Sequence, residues 1–219
     1  MKLVGVLFVV LTAGVAMALT AAVSVQPQIV FSVANPSVEP AQYSLTIRED
    51  GTGVYKATYT PSGDDTAAAP VDRAIRVHNP VLAEIFSVAR KSHFFAVNCQ
   101  GHQRVAFTGK KTLTYSGPDG RGSCTFNYAH KKGVNNVAAK LMAVAYTLAI
   151  GSELQSEHRY DRLSLDVELA ALQEAVVDKQ ALELENIASV LESISSDDAV
   201  MNQARARAQK LLHEASMTR

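Results

Sequence analysis

Tryptophan is absent from this 219-residue chain, aromatic residues make up 6% of it, and cysteine occurs twice. Two cysteines leave room for one disulfide and exclude both a disulfide framework and a four-cysteine zinc site. Charge of one sign is not in excess: 21 basic and 21 acidic residues cancel. No global field therefore draws the chain to nucleic acid. Signatures of catalysis are missing as well. There is no G-x-S-x-G nucleophile turn, no H-E-x-x-H zinc helix, no G-x-G-x-x-G and no G-x-x-x-x-G-K-[ST] phosphate loop. The glycines from Gly117 to Gly122 lie in an expected hairpin, without the helix that would follow a phosphate loop.

The first 22 residues have the build of a secretory signal. Lys2 forms a minimal positive start, residues 3–18 are apolar and uncharged, and Ala16, Met17 and Ala18 offer small residues for cleavage. The alternative is an uncleaved membrane anchor, because no charge intervenes between Lys2 and Glu39 and roughly 20 apolar residues span a bilayer. A periplasmic or secreted location follows from the first, an anchored one from the second. Export favours a Cys99–Cys124 disulfide. The competing possibility, Cys99 and His102 as half of a metal site, lacks a second close-spaced pair. No cofactor or metal is expected.

The organising stretch is 94–130, which holds both cysteines. Alternation at 104–107, 111–115 and 124–128 predicts three strands of an antiparallel meander, with turns at Gly109 and at 116–122. Upstream, 42–48 and 54–60 alternate on either side of Asp50 and Gly51, a hairpin signal, and 73–77 reads as a further short strand. Residues 29–33 are strand-like too. Prolines at 27, 36 and 40 make them an edge strand or tether within an exposed segment, 23–41. Asn79 as N-cap and Pro80 at the first helical position open a helix whose apolar face should pack on the sheet.

From about residue 134 the apolar period becomes helical. Val137, Leu141, Val144 and Leu148 share a face, as do Leu165, Leu169 and Leu172, then Leu184, Ile187, Leu191 and Ile194. Gly151 and Ser152 either divide the first helix or are absorbed by it, and Ser195 to Asp198 should cap the last one. The expected fold class is α+β: an antiparallel sheet of about five strands with one packed helix, followed by amphipathic helices. Its divisions are a signal peptide (1–22), an exposed segment (23–41), a disulfide-tied α+β domain (42–132) and a helical region (133–219).

Charge is unevenly placed. Residues 90–132 carry eight Lys or Arg against Asp119, whereas 153–198 carry twelve acids against three bases. The plain account is that these parts face each other or are separately solvated. The functional account makes Lys110, Lys111, Arg121, Lys131 and Lys132 an anion-binding rim for a wall polymer, a lipid head group or an acidic protein partner. The six histidines are scattered, and the densest polar cluster, 157–162, is expected to make structural contacts.

Three stretches, LTIREDGTGVY (45–55), TGKKTLTYSGPDG (108–120) with its flanking cysteines, and HRYDRL (158–163), resemble a family of uncharacterised exported bacterial proteins. The resemblance spans residues 40–214, implies export and the disulfide, and carries no activity or catalytic residue. A non-catalytic binding or interaction module is the resulting expectation, with an envelope hydrolase assembled from distant residues as the alternative.

Overall fold

The computed structural model describes residues 26–58 and 70–217; the signal-like leader and most of the loop after the first hairpin lie outside them. Six strands form one antiparallel sheet: β1 (Gln28–Ala34), β2 (Gln42–Arg48), β3 (Thr52–Thr58), β4 (Val71–Arg76), β5 (Lys110–Gly117) and β6 (Gly120–Phe126). Their spatial order is β4-β3-β2-β1-β5-β6. The fold is α+β, with one strand more than the sequence suggested.

β1 joins the sheet where 104–107 was expected to, and its position corrects the expected exposed segment. Ile29 and Phe31 are fully buried, and β1 pairs with β2 on one side and β5 on the other. Prolines 27, 36 and 40 flank this strand and never interrupt it, so no ladder donor is lost. Because β1 and β6 occupy both edges of β5, residues 104–107 have no place beside it. They form no strand, and Val105 and Phe107 stand exposed, which corrects the first strand of the meander. The last strand is shifted too: it begins at Gly120 and ends at Phe126, leaving Tyr128 outside.

Five helices follow the strands or intervene: α1 (Val81–Lys91), α2 (Lys132–Tyr160), α3 (Leu165–Val177), α4 (Ala188–Ser196) and α5 (Asn202–Met217). Pro80 takes the N-cap position of α1, without a side-chain cap bond, so Asn79 lies outside the helix. Gly151 does not break α2, where 29 residues give a rod of about 43 Å. A Cβ at Gly151 would meet Ile187 at 2.3 Å, so a close crossing by the next layer accounts for the glycine. The Ser195–Asp198 stretch does not cap the last helix, which begins at Asn202.

Helix α2 is shared by two cores. Its first half, Val134 to Leu148, packs with α1 on the inner face of the sheet, beside Phe31, Leu45, Ile85 and Leu113. Its second half, with Ile150 and Leu154, packs with the buried leucines of α3, α4 and α5. By length and composition it could cross a membrane, yet 56% of its apolar window is buried inside the protein.

The helical part is fastened to the free edge of β4. Asn186 accepts the Arg76 N–H at 2.8 Å and donates to the Arg76 carbonyl at 2.8 Å, imitating a neighbouring strand. His78 adds a second tie, its N–H and Nδ1 both meeting the Glu183 carboxylate.

Candidate anion-binding face

Strand alternation gives the sheet two unlike faces. The inner face is the core. On the outer face the register lines up Asp72, Lys56, Ser44, Ser32, Thr112 and Thr125 in one row, and Ala74, Val54, Thr46, Val30, Thr114 and Ser123 in the next. Hydroxyls bond across strands, Thr112 to Thr125 at 3.0 Å and Thr114 to Ser123 at 2.8 Å. Among the described elements, no helix covers this face.

Cations flank these rows at both ends of the strands. Arg76 lies opposite Thr52, Arg48 opposite Gln28 and Arg121 opposite Ser116, while Lys110 lies opposite Ala34 at the other end. All four are exposed, as is Lys56. Two acids temper them: Asp72 pairs with Lys56 at 3.1 Å, and Asp50 sits in the β2–β3 turn. Hydrogen bonds from the Thr52 hydroxyl and N–H hold the Asp50 carboxyl below its usual range, with Arg48 and Arg76 adding to the effect. The face is roughly 20 Å by 24 Å from strand rise and spacing. A shallow concavity of about 390 Å³ lies across it, lined by Ser32, Gln42, Ser44, Lys56, Lys110 and Thr112.

The expected rim divides accordingly. Lys110 and Arg121 belong to this face. Lys111, next in the strand, points inward and is buried, which removes it from any rim. Its Nζ donates to the Thr108 hydroxyl at 2.8 Å and the Asn127 carbonyl at 3.0 Å, with the Thr108 and Gly109 carbonyls at 3.4 Å. Burial pulls its pKa down. Lys131 and Lys132 are exposed at the start of α2, away from the hydroxyl rows. Sequence reasoning missed Arg48, Lys56 and Arg76. Alternation alone could have separated Lys110 from Lys111, since strand neighbours face opposite ways. Recruiting the other three required knowing that β1 separates β2 from β5.

Cys99 and Cys124 form the disulfide, with sulfurs 2.06 Å apart. Cys99 is therefore not a metal ligand, and His102 beside it is exposed. The cluster at 157–162 makes structural contacts: His158 Nε2 meets Asp197 at 2.8 Å and Arg162 reaches the same carboxylate at 3.4 Å. Neither that pair nor His78–Glu183 is hydrogen-bonded to a serine, threonine or cysteine side chain among the described residues.

At the far end of the β5–β6 turn, Arg90 joins Glu49 and Asp119 at 2.6 and 2.8 Å, and the Tyr115 hydroxyl donates to Asp119. Burial, with the Asp119 bond, pushes Tyr115 up to about 12, while the same bond and Arg90 pull Asp119 down.

Between α2 and α3 the carboxylates of Glu153, Glu157 and Glu168 lie within 4.8 Å of one another. Burial, then the charges of Glu168, Glu153 and Asp161, raise Glu157 to about 7. Among the described residues no salt bridge joins the basic 90–132 region to the acidic helices, so the two do not neutralise each other by direct pairing.

The chain matches no protein-family model, and no curated protein matches it.

Proposed function

We propose that the chain is an exported, non-catalytic binding module whose outer sheet face captures an anionic polymer of the cell envelope. The observation that carries this is the outer sheet face, which no described helix covers and where rows bearing hydroxyls lie between Arg48, Arg76 and Arg121 at one end of the strands and Lys110 at the other. The hydroxyls in these rows, from Ser32, Ser44, Thr46, Thr112, Thr114, Ser123 and Thr125, can donate and accept hydrogen bonds along an extended polyol. Cations at the two ends of the strands, about 20 Å apart, favour a chain of repeating negative charge over a small ion. The leader-like first 22 residues and the disulfide support export, to the periplasm or the exterior.

The test is retention on immobilised heparin, a generic anionic polysaccharide, as salt is raised. Lys110→Glu with Arg121→Glu should elute at clearly lower salt than the parent, with unchanged melting temperature, because both side chains are exposed. Equal elution of the two proteins would overturn the assignment to this face. Turnover of a glycan or ester substrate in a hydrolase screen would favour the enzymatic alternative.

A further inference from the structure

A second surface, distinct from the sheet face, lies at the end of the sheet where β1 ends and β5 begins. The 98–109 segment and the 127–132 segment run alongside each other there. Gly101 donates to the Tyr128 carbonyl at 2.7 Å, His130 donates to the Cys99 carbonyl at 3.0 Å, and the Asn127 side chain holds Ala106 and Thr108. The disulfide and the Lys111 nitrogen pin this ribbon from below.

Three of its outward side chains are apolar or aromatic: Phe107 is 63% exposed, Val105 43% and Tyr128 41%. At the same end, Val38 in the β1–β2 loop is 50% exposed. Collapse would normally bury such groups. Here the backbone is held by its own bonds, so the apolar tips stay presented. The surround is cationic, with Arg104, Lys110, Lys131 and Lys132 near Glu39, while Asp72, at the start of β4 on the far edge of the same end, is paired with Lys56.

We propose that this end of the molecule docks on an anionic lipid bilayer, with Val105 and Phe107 entering the head-group boundary and Arg104, Lys131 and Lys132 contacting lipid phosphates. Aromatic and aliphatic tips ringed by bases match such a boundary in both polarity and charge. A folded acidic protein partner would meet the charges, but three apolar tips projecting from a ribbon suit a deformable apolar layer better than a polar one. Lys110 borders both surfaces, but Arg121, Arg48 and Arg76 lie at the opposite end of the strands, so polymer capture can be weakened there without touching the lipid-docking residues.

Because the chain has no tryptophan, Phe107→Trp introduces a single reporter at the tip. With the full chain carrying Phe107→Trp, vesicles of phosphatidylglycerol and phosphatidylcholine should shift its emission to the blue. Lipids brominated on the acyl chain should quench it, and pure phosphatidylcholine should do neither. Adding Lys131→Glu and Lys132→Glu should raise the lipid needed by at least about tenfold. This readout is local to residue 107, and the pure phosphatidylcholine control separates docking of this end from partition of a retained leader.

An emission unchanged at saturating anionic lipid would overturn the proposal. So would a blue shift that follows protein concentration without lipid, which would identify the patch as a contact between copies. Arg121→Glu should leave the lipid-induced shift intact while weakening heparin retention, so failure of one surface is distinguishable from failure of the other.

Discussion

Replacing Lys111 tests the division between buried and functional cations most directly. Its side-chain nitrogen makes two firm bonds, at 2.8 Å to the Thr108 hydroxyl and 3.0 Å to the Asn127 carbonyl, and two longer contacts. Bonds to a charged donor are worth about 1.5–3 kcal/mol each, so two firm ones amount to roughly 3–6 kcal/mol. Against this stands the desolvation that the buried amine no longer has to bear once it is removed, several kcal/mol in the opposite direction. The net loss for Lys111→Met, which keeps the apolar stem, is about 2 kcal/mol. For a protein of this size that lowers the melting temperature by roughly 4–8 °C. Thermal melts by circular dichroism read the stability, and heparin elution at a temperature where both proteins are folded reads binding. The expected pattern is a lower melting temperature with parental elution. A parental melting temperature with elution as early as that of Lys110→Glu would refute the structural role and restore Lys111 to the binding rim.

Three further outcomes follow from the packing. The Glu157 carboxyl is raised to about 7, so the fold favours its neutral form, and the associated stability is present below about pH 4.5 and lost as pH rises through about 7. Discounted for its partial exposure, this is about 1 kcal/mol, so Glu157→Gln should melt a few degrees higher at pH 8 and no differently at pH 4.5. Equal melting at both values would remove the carboxylate cluster as a source of pH dependence. Cys99→Ser with Cys124→Ser reopens a loop with a sequence separation of 25 residues and should cost about 3 kcal/mol, read as a fall in the denaturant midpoint; an unchanged midpoint would contradict it. Asn186→Ala deletes both bonds to the β4 edge and should destabilise by about 1–2 kcal/mol, with faster hydrogen exchange at the Arg76 amide; unaltered exchange there would mean the edge is closed by other contacts.

The helices were legible because their apolar periods are long and their burial follows the period. Val137, Leu141, Val144 and Leu148 are all buried, as are Leu165, Leu169, Leu172, Leu184, Ile187, Leu191 and Ile194. The β2–β3 hairpin was legible for a similar local reason. Asp50 accepts the Thr52 N–H at 2.8 Å, and Gly51 takes a φ of +83° where a Cβ would strike the Val77 carbonyl at 2.5 Å. What misled was proline around β1, a local signal with no information about which long-range neighbours the strand would find. The meander failed for the complementary reason: 104–107 has a strand-like sequence, but both edges of β5 are taken.

The sequence by itself determined the α+β class, the position of most elements and the single cysteine pairing available, because periodicity, turn chemistry and cysteine count are properties of short stretches. Only the tertiary structure decided that β1 lies inside the sheet, that α2 serves two cores, and that Lys110 and Lys111 have opposite fates. It also gathered Arg48, Lys56, Arg76, Lys110 and Arg121 onto one face of the sheet. The physical reason is that strand pairing and burial are settled by competition among distant segments for the same hydrogen bonds and apolar surface, a contest whose outcome no local pattern records.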